Sequence, residues 1–239
     1  MRRETQNILL VLLGGALLKI SFTGTFLRYV KPSHKWLLVA AGAIMVGLAA
    51  VSIARDLINA RQAEAAGHEG HRHSSISAWL LLLPVLAVFL VAPPALGADS
   101  VQRAGNTNRS SVPEDGTALF PALQAGDVLA LPLSDFASRA AWDRGNSLND
   151  RAIKLTGFVV HDGGATYVAR LAIACCAADA FPVKVKLDSP QVVALPDDSW
   201  VEVVVTVQPG TATRANEFVP SATVADVRQI SQPEDPYEH

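Results

Sequence analysis

The stretch Ala169–Leu187, with the sequence ARLAIACCAADAFPVKVKL, predicts two β-strands that meet at a tip containing both cysteines of the chain. On either side of this tip, apolar side chains occupy every second position: Tyr167, Ala169, Leu171 and Ile173 before it, and Val183, Val185 and Leu187 after it. An alternation of this kind is typical of strands with one buried face. Lys184 and Lys186 fall between the apolar positions, so they are predicted to point away from the core.

The tip itself, CCAAD, carries two thiols and a carboxylate close together, on Cys175, Cys176 and Asp179. Neighbouring residues inside a strand point to opposite faces and cannot share a ligand. That restriction is relaxed at the turn of a hairpin, so the three side chains are predicted to converge. They are therefore the first candidate site.

Three interpretations of the cysteine pair are open from the residues alone. One thiol could be buried as a small apolar group. The two could form a vicinal disulfide, whose strained geometry makes it easily reduced. They could bind zinc or another soft divalent metal, for which a tetrahedral site needs four ligands while the tip offers three. His161 is a poor additional ligand, because the second predicted strand separates it from the tip by about 25 Å.

Residues 1–98 have the composition of a membrane domain. They hold nine Lys and Arg against four Asp and Glu, a net of +5, whereas residues 99–239 hold eleven against eighteen, a net of −7. Three apolar runs are long enough to cross a bilayer, at about 7–30, 36–54 and 77–97. The sequence therefore predicts a multi-pass protein of the cell membrane, in contact with lipid. Arg2 and Arg3 favour a cytoplasmic amino terminus, and three crossings then place the acidic half outside the cytoplasm.

A polar linker at 55–76 separates the second and third runs and contains the sequence GHEGHRH. Its histidines, His68, His71 and His73, form a short tract of the kind that can hold a metal ion weakly. The alternative is a solvated linker without a metal site, because such a segment has no preformed ligand geometry.

The acidic half is predicted to consist of a polar tether at 99–117 and a β-rich domain at 118–239. Its strands, recognised by alternating apolar residues, are predicted at Leu129–Leu133, 153–160, Tyr167–Ala174, Phe181–Leu187, Trp200–Gln208 and Phe218–Ile230. Ser134 is predicted to cap the amino terminus of one short helix, Asp135–Trp142. The five longer strands, mostly antiparallel, predict a small closed barrel of the OB type. The fold class is thus an α-helical membrane part followed by a mainly-β domain.

Short motifs over nearly the whole chain resemble the YcgQ-type family of permease subunits, which carries a C-terminal domain of unknown function. The matching elements are Tyr29-Val30-Lys31-Pro32, the His-bearing linker, Leu96-Gly97, Gly157-Phe158-Val159, Cys175-Cys176-Ala177-Ala178-Asp179 with Pro182, Trp200-Val201, and Pro233, Pro236 and Tyr237. The Cys-Cys-x-x-Asp element is the most specific of them. The resemblance implies a membrane subunit that works beside a multi-spanning permease of the YcgR type, in zinc-related metal homeostasis. The linker is poorer in histidine than in many relatives, which weakens a metal-storing role for that segment.

The leading expectation for function is an accessory transporter subunit that presents the Cys-Cys-x-x-Asp tip. The alternative is a membrane-tethered thiol redox protein, although the CxxC spacing usual for redox work is absent. The net charge of −7 over residues 99–239 opposes binding of nucleic acid, a frequent ligand of OB barrels. The sequence contains no Walker loop, HExxH or GxSxG motif. We therefore expect a protein that is not an enzyme and that obtains the pore and the energy from a partner or from self-association.

Overall fold

The chain folds into two compact units, as described by a computed structural model. The structure describes residues 3–64, 94–104, 120–143 and 147–239. The first unit contains the helices α1 (Arg3–Thr23) and α2 (Lys35–Glu64). The second unit runs from residue 95 to residue 239 and also includes Leu27–Lys31, part of the segment that joins α1 to α2. Leu27–Lys31 is called the connector below.

The two helices pack closely against each other at a pair of glycines. A β-carbon on Gly14 or on Gly42 would lie 2.9 Å from the carbonyl oxygen of the other glycine, so neither position has room for a side chain. Small residues at such contacts are usual where helices associate in membranes. Within the described residues, the stretches Gln6–Thr23 and Pro32–Asp56 are long and apolar enough to cross a membrane, judged by length and composition. The structure therefore contains two apolar helices that overlap the first two predicted runs. The first helix ends at Thr23 rather than near residue 30, because Gly24 adopts a left-handed conformation with φ of 79°.

The region after the second run differs from its prediction. Helix α2 continues to Glu64, into the segment that the sequence assigns to the linker at 55–76. The residues concerned, RDLINARQAE, include several strong helix formers, which explains the extension. The third predicted run, at 77–97, lies outside the described residues except for its last four positions.

Helix α3 (Ala98–Ala104) occupies the start of the segment predicted to be a tether at 99–117. Val101 of this helix is fully buried, in a cluster with Phe158 and Val160 of the sheet. Ala98 is the other buried residue of this helix, and two small apolar positions in seven residues are too weak a pattern to predict it.

Seven strands form one sheet in the described part of the second unit. Their bounds are β1 (Val128–Ala130), β2 (Ala152–Asp162), β3 (Ala165–Ala172), β4 (Phe181–Asp188), β5 (Trp200–Gln208), β6 (Ser221–Gln229) and β7 (Tyr237–Glu238). The helices α4 (Leu133–Trp142) and α5 (Pro190–Val193) complete the unit. Strands β2 to β6 correspond to the five longer predicted strands, with ends that differ by a few residues. The mainly-β character of this part of the chain is thus confirmed.

The central strands pair in a closed ring. Strand β2 pairs with β3 on one side and with β5 on the other, and the pairs β3–β4, β4–β6 and β6–β5 complete the ring. The β4–β6 pair is parallel and the other four are antiparallel. Gly157 of β2 allows the close contact with β3, because a β-carbon there would lie 2.5 Å from the carbonyl oxygen of Ala169.

The sheet is covered on both faces, which corrects the prediction for Lys184. On one face a core contains α4 residues and the alternating residues Val183, Val185 and Leu187 of β4. On the other face α3 packs against β2, β3 and β4. Lys184 is fully buried rather than solvated, and its ammonium group lies 3.2 Å from the Asp162 carboxylate and 4.9 Å from the centre of the Tyr167 ring. Lys186 is exposed, as predicted.

Helix α4 begins at Leu133 and is capped by a residue from the far end of the chain. Ser134, the predicted cap, lies inside the helix, and Pro132 occupies the cap position without a side-chain hydrogen bond. The buried carboxylate of Glu238 instead accepts hydrogen bonds from the main-chain N–H groups of Leu133 (2.6 Å) and Ser134 (2.8 Å). The free N–H groups of a helix start attract a carboxylate in this way.

Candidate metal centre

The two cysteines lie at the tip of the hairpin formed by β3 and β4. The last residue pair of this ladder is Ala172 with Phe181, and a 3-10 turn at Ala177–Asp179 reverses the chain between them. The cysteines are therefore outside the ladder, where neighbouring side chains need not point to opposite faces. The ligand atoms of Cys175, Cys176 and Asp179 all lie within 4.8 Å of one another. We call these three residues the thiol site.

Asp179 holds the backbone of the thiol site in place. Its Oδ1 atom accepts a hydrogen bond from the main-chain N–H of Ala174 at 3.0 Å. Its Oδ2 atom accepts from the N–H groups of Cys175 at 2.9 Å and Cys176 at 3.4 Å. The pKa of Asp179 is lowered, first by a hydrogen bond with the Cys175 side chain and then by these backbone donors. The carboxylate is thus ionised, and it is also the group that shapes the turn.

The two thiols are free and lie side by side. Their sulfur atoms are 3.7 Å apart, with Cys175 exposed and Cys176 partly buried. The hydrogen bond to the Asp179 carboxylate raises the pKa of Cys175 to about 11, and the neighbouring Cys176 thiol adds to the effect. At neutral pH the Cys175 thiol therefore keeps its proton, because the negative charge beside it disfavours a thiolate. A cation at the same place would reverse that preference.

The connector pairs with the backbone of the thiol site. Val30 and Cys176 form an antiparallel β-bridge. On one side of it the N–H of Lys31 donates to the carbonyl of Cys175 at 3.2 Å, and on the other the N–H of Ala177 donates to the carbonyl of Tyr29 at 2.7 Å. The N–H groups of both cysteines are thus bonded to Asp179. The carbonyl of Cys175 and the N–H of Ala177 are bonded to the connector.

Tyr237 fastens the same connector from a second direction. Its hydroxyl donates a hydrogen bond to the carbonyl of Arg28 at 3.1 Å and accepts one from the N–H of Leu96 at 3.2 Å. Burial raises the pKa of Tyr237, so the hydroxyl remains protonated and able to donate. Tyr237 lies in β7, which pairs with β3 next to the hairpin tip. Three segments that are distant in sequence therefore meet beside the thiol site.

His161 lies away from the thiol site, as its position in the sequence predicts. His161 pairs with Thr166, at the end of β3 away from the tip, and its Nδ1 atom lies 2.7 Å from Oδ1 of Asp197. The thiol site is the one cluster of at least three His, Cys, Asp or Glu ligands found among the described residues. The linker histidines His68, His71 and His73 lie outside those residues, so their predicted weak site stays a prediction.

Comparison with known proteins places the chain in a family. Residues 5–107 match the DUF1980 N-terminal domain, and residues 143–239 match the DUF1980 C-terminal domain. The chain belongs to the DUF1980 family. In this DUF1980 chain the connector lies within the N-terminal match and the thiol site within the C-terminal match. Two motifs from separate family domains therefore contact each other through their backbones.

The remaining comparisons give no further guide to this DUF1980 chain. A search of curated proteins found no match. One similar solved structure is that of a chain from Leishmania major Friedlin assigned as an aspartyl-tRNA synthetase. It shares 12% sequence identity, over 48% of this chain and 24% of that chain, with a TM-score of 0.28. A similarity of this size carries no argument about fold or function.

Proposed function

We propose that this DUF1980 chain is an accessory membrane subunit of the YcgQ type, working beside a multi-spanning permease of the YcgR type in metal homeostasis. In this role the thiol site binds zinc or another soft divalent metal ion. The observation that carries the proposal is the convergence of Cys175, Cys176 and Asp179, whose ligand atoms lie within 4.8 Å of one another. Two thiolates and a carboxylate are among the donors that zinc prefers.

The spacing of the sulfur atoms supports chelation. Two sulfurs bound about 2.3 Å from a tetrahedral zinc ion lie about 3.8 Å apart. The Sγ atoms of Cys175 and Cys176 are 3.7 Å apart, so little movement is needed to bind such an ion. A disulfide, with its sulfurs about 2.05 Å apart, requires them to approach by about 1.6 Å.

The hydrogen bonds of Asp179 also leave a place for the ion. A carboxylate has about four lone-pair positions. Three main-chain N–H groups and the Cys175 thiol use them in the present arrangement. A metal ion that displaces the thiol proton takes over the position that this proton used, while the three backbone bonds that shape the turn persist.

A site with three protein ligands is suited to an ion that is transferred to another protein. The thiol site supplies three ligands, and a tetrahedral ion has a fourth position for water or for a donor from a partner. Structural zinc sites usually have all four positions filled by protein. An incomplete set therefore supports transfer of the ion to or from the permease more than permanent storage.

The membrane arrangement belongs to the same proposal. The proposed membrane part has three spans: the two apolar helices and a third span at 77–97. These spans contact lipid and the permease. The Arg residues at the amino terminus support a cytoplasmic start, which places the β-rich unit outside the cytoplasm. The closed ring of five strands supports an OB-type barrel for this unit.

A thiol redox protein is the second candidate, and the contact between the two sulfur atoms is the observation in its favour. The thiolate is the reactive form of cysteine. Because Asp179 raises the pKa of Cys175 to about 11, that thiol is a weak nucleophile at neutral pH. Alkylation rates of both cysteines test this candidate: slow reaction of both argues against redox chemistry, and rapid reaction of one thiol near pH 7 supports it.

Co-purification tests the role as a subunit. The full chain, tagged and expressed at native level, is extracted in a mild detergent, and the proteins that accompany it are identified. We expect a multi-spanning membrane protein in stoichiometric amount, which is lost when the detergent is made harsher. A chain that runs alone under the mildest conditions would contradict the subunit role.

A further inference from the structure

We propose that the connector senses the state of the thiol site. Binding of a metal ion strengthens the pairing between Tyr29–Lys31 and the hairpin tip, and the paired connector in turn strengthens metal binding. This inference rests on the metal binding proposed above and adds to it a route by which the ion affects the rest of the chain.

The bridge involves the backbone of the ligand residues themselves. The carbonyl of Cys175 accepts the Lys31 N–H bond, Cys176 stands opposite Val30, and Ala177 follows directly with its bond to Tyr29. The N–H groups of both cysteines are already bonded to Asp179. The positions of the two sulfur atoms therefore depend on the carboxylate on one side and on the connector on the other.

A metal ion acts on the same groups. By drawing two thiolates and the Asp179 carboxylate to one point, it restrains the backbone from residue 175 to residue 179. A restrained tip presents a fixed carbonyl and a fixed N–H group to the connector, so less conformational freedom is lost when the pairing forms. Thermodynamic linkage makes the coupling reciprocal, since a ligand that favours pairing is itself favoured by pairing.

The connector is also the covalent path to the apolar helices. It follows α1 in the chain and precedes α2, and the Tyr237 hydroxyl holds its Arg28 carbonyl at 3.1 Å. That hydroxyl also accepts a hydrogen bond from the N–H of Leu96 at 3.2 Å, near the end of the third predicted run. Tyr237 therefore links the connector to Leu96, so a change at the connector has a hydrogen-bonded route to the segment just before α3.

A matched pair of variants at Lys31 isolates the coupling. Lys31→Pro removes the N–H donor, whereas Lys31→Ala removes the same side chain and keeps the donor. Pro32 already disfavours a helical conformation at residue 31, and proline itself favours the extended region. We expect the zinc affinity of the full chain in detergent to be lower in Lys31→Pro than in Lys31→Ala, by up to about five- to tenfold, the limit set by one hydrogen bond.

Hydrogen exchange on the unmodified chain provides a second measurement that does not depend on the variants folding. The amide of Ala177, which donates to Tyr29, should exchange several-fold more slowly with zinc than without it. If the wild-type chain binds zinc but exchange at Ala177 is unchanged and the two Lys31 variants bind equally, the coupling is wrong while the metal site stands. If the wild-type chain binds no zinc, both the metal site and the coupling are overturned.

Discussion

The Oδ2 atom of Asp179 lies 2.9 Å from the main-chain nitrogen of Cys175, so one carboxylate both faces the thiols and holds the backbone that carries them. Asp179 therefore has two roles, as a candidate metal ligand and as the group that orders the turn. Substitution of Asp179 alone tests both roles while the two cysteines stay in place. Removal of its charge should affect the order of the turn as well as the binding of an ion.

The Asp179→Asn variant tests this double role. The amide group of Asn offers one acceptor and places donor hydrogens opposite main-chain N–H groups, so the turn loses hydrogen bonds along with its charge. We expect zinc affinity to fall roughly tenfold or more, and the amides of Cys175 and Cys176 to exchange faster without zinc. Asp197→Asn, on the far side of the unit, is the control. Unchanged exchange at both cysteine amides would argue against the structural role of Asp179.

The close approach of β2 and β3 at Gly157 makes a stability prediction. In Gly157→Ala the new β-carbon would meet the Ala169 carbonyl oxygen at 2.5 Å, so the two strands have to move apart. We expect a loss of about 1–3 kcal/mol in the free energy of unfolding, measured by urea titration with tryptophan fluorescence. Gly126→Ala is the matched control, because no atom lies within 4 Å of its β-carbon position. Equal stability of the two variants would contradict the packing described here.

The contact between Glu238 and the start of α4 predicts a second stability effect. Glu238→Gln keeps the shape of the side chain but removes its charge and one of its two acceptors. With the N–H groups of Leu133 and Ser134 no longer both satisfied, we expect a loss of about 1–2 kcal/mol. The exposed Glu234 provides the control variant Glu234→Gln. A loss of similar size in the control would show that negative charge in this segment, rather than the cap, is responsible.

The pair of Glu202 and Arg228 predicts part of the pH dependence of stability. They face each other across β5 and β6, and a hydrogen bond from Arg228 is the main cause that lowers the pKa of Glu202 from 4.5. A carboxyl with a lowered pKa in the folded state stabilises the fold above its unfolded pKa. The contribution is lost as the pH falls through the folded value.

Acid unfolding of Arg228→Gln measures this contribution. The stability of the wild type should decline more steeply below about pH 4.5 than that of the variant. Exposed Arg214 gives the control variant Arg214→Gln, which should follow the wild type. If the free energy of unfolding of Arg228→Gln changes with pH in parallel with that of the wild type over pH 3 to 6, the Arg228 bond does not set the pKa of Glu202.

The strands of the β-rich unit could be predicted because each buries apolar residues at every second position. That rule also placed Lys184 in solvent, and there it was wrong. It assumes that only one face of a strand is covered, whereas α3 covers the second face through residues such as Val101. Helix α3 buries only Ala98 and Val101, a pattern too short to predict the helix from the sequence.

The thiol site was predictable because its residues are close in sequence and the flanking strands define the turn between them. The connector was not, since its contact joins residues 29–31 to residues 175–177 through main-chain bonds that leave no pattern in the side chains. The cap of α4 was also not predictable, because Glu238 lies more than a hundred residues from Ser134. Contacts of this kind follow from the assembled fold and not from any local sequence signal.

Zinc titration of the full chain under reducing conditions tests the central claim most directly. The full chain is required, because a fragment that begins at Ser100 lacks the connector that holds the tip. We expect tight binding of one zinc ion by the wild type and its loss in the double variant Cys175→Ser with Cys176→Ser, with circular dichroism unchanged. A double variant that no longer folds would indicate instead that the thiols are needed for packing. Equal affinity in the two proteins would contradict a metal site at the tip.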